Sequence, residues 1–126
     1  MNATAEVCLV DDDSSVLRSM QYLLASDGIK VRAFNKPQEF LAHAAAHPVS
    51  VVVTDIWMEK ITGLEILARM CALSPRPRVI VITARDDLAA RATAMAIGPV
   101  AFFIKPFNDE QFLAAVHDAL AQTQNS

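Results

Sequence analysis

Five short apolar runs recur along the chain, each followed by polar residues and then by a stretch of helical periodicity, and this alternation limits the fold to a narrow class. The first run, Val7, Cys8, Leu9 and Val10, is apolar at consecutive positions and rich in strand formers, as a strand covered on both faces requires. It stops at three acids, Asp11, Asp12 and Asp13. Beyond them Val16, Leu17, Met20, Leu23 and Leu24 fall at helical spacing, with Asp13 or Ser14 able to cap and Gly28 supplying the stop. Lys30–Phe34 reads as a weaker strand. Asn35 and Pro37 then open a helix that turns Phe40, Leu41 and Ala44 inward and ends before Pro48. Val51, Val52 and Val53 form a third strand stopping at Thr54 and Asp55. The loop 56–62 leads into a helix from Gly63 to about Leu73, with Leu64, Leu67 and Met70 or Cys71 on one stripe. Two prolines break it. Val79–Ile82 is the fourth strand, and Asp86 or Asp87 caps an alanine-rich helix that runs to Ile97 and closes at Gly98. Ala101–Ile104 is the fifth strand, followed by Lys105-Pro106 and a last helix over about Asn108–Ala121, with Phe112, Leu113, Val116 and Leu120 inward.

Strands joined through helices by short connections demand right-handed crossovers and a parallel sheet with helices on both faces. The expected strand order is 2-1-3-4-5, an α/β fold. In such sheets ligands bind beyond the carboxyl ends of the strands, near the switch point beside the first strand. The residues just past each strand therefore carry the functional information.

The 126 residues suit one domain over 1–126, and with 53% hydrophobic and 20% charged residues there is ample surface to bury. Lys plus Arg number 11 against 14 for Asp plus Glu, a net charge of −3, with no basic stripe to follow a phosphate backbone, so nucleic acid is not expected as a direct partner. The longest apolar stretches, such as Val100–Ile104, fall far short of the roughly 20 residues that cross a bilayer. The first residues, Met-Asn-Ala-Thr-Ala-Glu, lack the positive region and apolar core of a secretory leader, so a cytoplasmic location is expected. Cys8 and Cys71 stand apart in apolar surroundings and read as buried thiols.

The strand ends carry chemistry. The first ends in Asp11-Asp12-Asp13, the third in Asp55, the fourth in Thr83 and the fifth in Lys105, and the expected order brings all of them to one pocket. Carboxylates gathered in one place repel one another and call for a cation. Oxygen ligation by carboxylates, a carbonyl and water suits Mg²⁺, and a lysine ammonium offsets part of the remaining charge. A carboxylate beside Mg²⁺ can attack a phosphoryl group, since metal and ammonium neutralise charge on the transferred oxygens. Asp55, alone at the end of the central strand, is the best placed nucleophile, whereas Asp11 and Asp12 stand together as metal holders.

These residues resemble the response-regulator receiver domain of two-component signalling over about residues 6–121. Val-Asp-Asp-Asp at 10–13, Thr-Asp-Ile-Trp-Met at 54–58 with Gly63, Ile-Thr-Ala at 82–84 and Lys-Pro-Phe at 105–107 occur in that family's order and spacing. The resemblance implies a flavodoxin-like (βα)5 fold with Asp55 as phosphoacceptor. It makes Asp11 and Asp12 the acidic pair for Mg²⁺, Asp12 the more direct ligand, and adds Asp55 and the backbone carbonyl of Trp57. It puts Thr83 and Lys105 on the phosphoryl group, a cis peptide before Pro106, and Phe102 as the switch aromatic paired with Thr83. It further implies a sensor histidine kinase or phosphotransfer protein as donor, a surface of the fourth helix, fifth strand and fifth helix that changes on phosphorylation, and a homodimer formed through it. The details are most similar to receivers of helix-turn-helix transcription regulators; the chain itself reads as a receiver alone, with no output domain, and not as an enzyme beyond its own phosphorylation and dephosphorylation. Three positions depart from the family pattern. Glu59 stands where proline is usual and should loosen the loop; Pro99 and Ala101 alter the approach to the switch aromatic.

Simpler roles compete for several residues. Asp13 is expected to do no more than cap. Phe102 and Phe103 point to opposite faces of a strand, so one serves each helix layer. His43 and His47 lie four apart and could share a metal, but no third ligand is near in sequence, so a solvated helix face is the default. His117 reads as a surface residue. Trp57 and Arg85, two residues beyond Asp55 and Thr83, could meet at the pocket mouth. A different function is the alternative: Asp11, Asp13 and Ser15 fit the loose pattern of haloacid-dehalogenase-like phosphatases, with Asp11 as nucleophile. A flavodoxin-like cofactor binder lacks its phosphate loop here.

Overall fold

In the computed structural model, residues 6–124 are described, with side chains through residue 122; the stretch 1–5, where a leader would begin, and the last two residues lie outside them. Strands β1 (Glu6–Val10), β2 (Lys30–Phe34), β3 (Val51–Asp55), β4 (Arg78–Thr83) and β5 (Ala101–Ile104) alternate with helices α1 (Ser14–Ser26), α2 (Pro37–Ala46), α3 (Gly63–Cys71), α4 (Leu88–Ile97) and α5 (Asp109–Gln124). All pairings are parallel and the order is β2-β1-β3-β4-β5, as the alternation predicts.

Side-chain alternation along the strands divides the interior into two layers. Val7, Leu9, Val51, Val53, Ile80 and Ile82 face α1 and α5, meeting Leu17, Met20, Leu24, Phe112 and Val116. Cys8, Val10, Val52, Val79 and Val81 face the opposite way, onto Phe40, Ile66, Leu67, Met70, Ala90 and Ala94. The same parity splits the two adjacent phenylalanines, with Phe103 packed in the first layer and Phe102 in the second.

Helix starts follow their capping chemistry. Asp13 Oδ1 accepts from the N–H groups of Ser15 and Val16, and this bonding, with the Ser15 hydroxyl, holds its carboxyl below the ordinary value. Thr62 caps α3 and Asp87 caps α4, while Asn108 Oδ1 accepts from the Gln111 N–H ahead of α5. α2 begins with Pro37 at its first turn and no side-chain cap. The α3 stripe differs from the expected one: Ile66, Leu67 and Met70 are buried, and Leu64 and Cys71 are only partly so. The helix also stops at Cys71 rather than Leu73, because Ala72 and Leu73 turn off ahead of Pro75, which follows a cis peptide. Among the described residues no helix is long and apolar enough to cross a membrane.

Candidate functional site at the carboxyl edge of the sheet

Parallel register sets the site. Val10 pairs with Thr54, which brings Asp11 level with Asp55, and Asp55 pairs with Ile82, one residue before Thr83. Thr83 pairs with Ile104, one residue before Lys105, and the Lys105 N–H donates to the Thr83 carbonyl at 2.8 Å. Four residues distant in sequence thus share one edge. The Lys105–Pro106 peptide is cis, as the resemblance implied.

Asp11 is 2% exposed, with Oδ1 accepting from the Asp13 N–H at 2.9 Å and Oδ2 lying 3.5 Å from Lys105 Nζ. Burial raises its pKa, opposed by the Asp13 N–H and by Lys105. Asp55 is half-buried; burial and the neighbouring Asp11 push its carboxyl up to about 6, against the pull of Lys105 and of the Ile56 N–H at 2.9 Å. The two carboxylates therefore share a single ammonium. That is too little positive charge for the negative charge gathered there.

Asp12 is exposed, and its Oδ2 accepts from the Glu59 N–H at 3.0 Å. This contact answers the expectation that Glu59 loosens the loop. A proline there has no N–H to give, whereas Glu59 ties the loop after β3 to the acidic turn after β1. The loop is closed again at its far end, where the Gly63 N–H donates to the Ile56 carbonyl at 2.8 Å. Lys60, between them, has φ +69°.

Mg²⁺ fits this donor chemistry. Among the described residues no three His, Cys, Asp or Glu side chains stand together closely enough to hold an ion alone. Mg²⁺ asks for less, since it is held by one or two carboxylates with carbonyl oxygen and water completing an octahedron. Asp11 and Asp12, with the under-compensated charge on Asp55, supply oxygen donors of that kind.

Thr83 is 1% exposed, and its hydroxyl both donates to the Arg85 carbonyl and accepts from the Arg85 N–H, each at 3.1 Å. The Arg85 guanidinium lies 4.5 Å from the centre of the Trp57 ring, so the two side chains do meet. Phe102 lies under a second guanidinium, that of Arg91, at 5.4 Å. Asp11, the nucleophile of the phosphatase alternative, has both oxygens engaged and almost no exposure, which leaves Asp55 the more accessible carboxylate.

Elsewhere the simpler readings hold in part: His43 is half-buried with its ring 5.2 Å from that of Phe34 rather than on a fully solvated face, and Cys71 is only partly buried. His43 and His47 stack with ring centres 4.7 Å apart, and no third ligand joins them among the described residues. His117 is exposed and bonds Asp27 at 2.6 Å. Cys8 and Cys71 are free, and burial pushes the Cys8 thiol up to about 11, which keeps it unreactive. Two contributors were not legible from residue types: the Glu59 N–H, a backbone group, and the Arg85 backbone, which engages Thr83. A hydroxyl at a strand end followed by a loop residue two positions on is the only sequence signal for the latter.

Comparison with known proteins supplies the family. A family model described as the response regulator receiver domain matches residues 7–117. The transcriptional regulatory protein FixJ of Bradyrhizobium diazoefficiens is 33% identical over 125 residues, an alignment that takes in 98% of this chain and 60% of that protein. A response regulator receiver protein from Burkholderia phymatum superimposes with a TM-score of 0.80 at 38% identity, covering 93% of this chain and 95% of that one. The beryllofluoride-activated NtrC4 receiver domain, solved as a dimer, superimposes with a TM-score of 0.84 at 27% identity, covering 94% and 98%. This chain spans about three fifths of the FixJ relative's length.

Proposed function

Since the chain belongs to the response-regulator receiver family, we propose that it is a phosphoacceptor switch in which Asp55 takes a phosphoryl group from a sensor histidine kinase or phosphotransfer protein. The observation that carries this reading is the convergence of Asp11, Asp55, Thr83 and Lys105 on one sheet edge, with Asp55 accessible and its charge under-compensated. An Asp55 oxygen attacks phosphorus in line, the bond from phosphorus to the donor breaks, and the donor departs with that electron pair. In this reading Lys105, and the Thr83 hydroxyl once it turns from Arg85, would meet the transferred oxygens. Asp11, Asp12, Asp55 and the Trp57 carbonyl would hold Mg²⁺, which when bound supplies positive charge to the same oxygens. We read 1–126 as one receiver unit acting in the cytoplasm on a transcriptional output.

Incubation with acetyl phosphate and Mg²⁺ tests the reading: intact mass spectrometry is expected to find one added phosphoryl group, lost when Mg²⁺ is chelated. No adduct at any concentration of donor overturns it. Asp12→Ala is expected to weaken Mg²⁺ by on the order of tenfold or more, since removing even an outer partner of a metal ligand costs about 10–100-fold. An unchanged titration would remove Asp12 from the site.

The output face follows from exposure. Leu88 and Met95, one heptad apart on α4, are 79% and 55% exposed, and Val100, just before β5, is 42% exposed. Arg91 of the same helix lies over Phe102, and these exposed apolar side chains on α4 and ahead of β5 are the kind that association covers. Two copies are proposed to meet there when Phe102 turns inward behind Thr83, as two packings a few kcal/mol apart allow. Sedimentation with beryllofluoride is expected to give a dimer and without it a monomer; a monomer in both removes dimerisation from the output.

A further inference from the structure

A hydroxyl carries one proton, and that of Thr83 is committed to the Arg85 carbonyl, while its oxygen holds the Arg85 N–H. Thr83 is almost fully buried, so water does not replace these bonds. To donate to an oxygen carried on Asp55, the hydroxyl has to give up the Arg85 carbonyl, and when the side chain turns to carry its oxygen toward Asp55 the Arg85 N–H loses its acceptor as well. Two orientations of Thr83 are thus two arrangements of the loop between β4 and α4. The side chain of Arg85 is fixed at the same time by its stack on Trp57, which stands in the neighbouring loop, two residues after Asp55. Trp57 has no polar tether of its own: its Nε1 is buried without a hydrogen-bond partner, and the ring packs against the layer built from α3 and α4.

From this geometry we infer that the Arg85–Trp57 stack is a latch, holding the β4–α4 loop in the arrangement that turns Thr83 toward Arg85 and away from Asp55. Arg85 is a positioning residue in this scheme. It acts through Thr83, and the latch rests on the phosphoacceptor role of Asp55. An interaction present in one arrangement and lost in the other shifts their ratio by its own strength. For a guanidinium on a half-buried indole that strength corresponds to about two- to fivefold.

Four variants separate the latch from general packing. Arg85→Gln keeps length and loses the cation, Arg85→Lys keeps the cation, Trp57→Leu keeps apolar volume and loses the aromatic face, and the fourth combines Arg85→Gln with Trp57→Leu. The first readout, amide hydrogen exchange at residue 85 corrected for intrinsic rate, needs no phosphodonor. Exchange is expected to quicken about two- to fivefold in Arg85→Gln and in Trp57→Leu, by the same factor in the double variant, and little in Arg85→Lys. Equal exchange in all variants, or an additive double, overturns the latch. The second readout is the rate of labelling by acetyl phosphate, expected to rise by a similar factor in Trp57→Leu, whose charge is unchanged. A wild-type rate there, with faster exchange, shows a contact that does not govern switching and overturns the latch as a device. Absence of labelling in the wild type itself fails the phosphoacceptor reading instead, a result the exchange data cannot mimic.

Discussion

Asp55→Asn is expected to lose all labelling by acetyl phosphate and Mg²⁺ and, in metal-free buffer, to be more stable than the wild type. The first effect follows from chemistry: an amide oxygen is too weak a nucleophile toward phosphorus, Asp11 is buried and bonded at both oxygens, and Asp12, though exposed, gives one oxygen to the Glu59 N–H and is assigned to Mg²⁺. The second follows from the electrostatics of the site. Burial and Asp11 raise the Asp55 carboxyl to about 6 from its ordinary 3.8, so the fold favours its neutral form. Between those two values the unfolded chain has released the proton and the folded chain has not. Stability attributable to Asp55 therefore falls as pH rises through that window and stays low above it. Asparagine removes the charge and keeps an oxygen to accept the Ile56 N–H. The gain is on the order of 1–3 kcal/mol at neutral pH, the upper end being the full shift converted at about 1.36 kcal/mol per unit. Denaturant midpoints at pH 7.5 and pH 4 check both parts: the two proteins should differ at the higher pH and converge toward the lower. An adduct on the variant, or equal midpoints at pH 7.5, would contradict the assignment.

How far the sequence carried can be judged from particular residues. The β/α alternation was legible because each buried strand is a short apolar run and each helix end has a chemical mark, such as Asp13, Asp87 or Gly98. The parallel sheet with helices on both faces followed from connection lengths and handedness, which alone do not choose the order β2-β1-β3-β4-β5 among doubly wound sheets. The site was legible because the fold places strand ends together, so Asp11, Asp55, Thr83 and Lys105 could be grouped without coordinates. Hydrogen bonding by backbone was not. Glu59 looked like a flaw because its side chain differs from the usual residue, and its contribution comes from an N–H that every residue except proline carries. Likewise the resemblance implies that Thr83 meets the phosphoryl group, and residue types do not encode that its hydroxyl is bonded to the Arg85 backbone, which local loop geometry decides. The contact of Trp57 with Arg85 was equally open in the sequence. It depends on how two loops lean, and spacing fixes only that their bases are neighbours.

Gly63 shows how the fold holds the phosphorylation loop, and Gly63→Ala is expected to be the most disruptive small substitution in the chain. A Cβ at this position would lie 1.9 Å from the Asp55 carbonyl oxygen, 2.8 Å from its carbon and 2.9 Å from the Ile56 Cα. All three are backbone atoms, so no side chain can swing aside. The methyl group has to push the first turn of α3 off the end of β3. That displacement also breaks the bond from the Gly63 N–H to the Ile56 carbonyl, which closes the loop carrying Trp57 and Glu59. Overpacking of about 1–3 kcal/mol together with a lost bond of about 1 kcal/mol gives an expected destabilisation of about 2–4 kcal/mol. Labelling should fall as well, because the oxygen struck by the methyl group belongs to the nucleophile's own residue. Gly28 provides the contrast. Its φ is +76° and nothing lies within 4 Å of an added Cβ, so Gly28→Ala carries only the left-handed backbone cost of about 1–2 kcal/mol, at the end of α1 remote from the strand ends. Chemical denaturation and acetyl phosphate labelling of the two variants should therefore diverge, Gly28→Ala retaining wild-type labelling under conditions where it is fully folded and Gly63→Ala not. Wild-type stability and labelling in Gly63→Ala would mean that α3 can draw back from β3 without cost, and that the close packing of its first turn does not position Asp55.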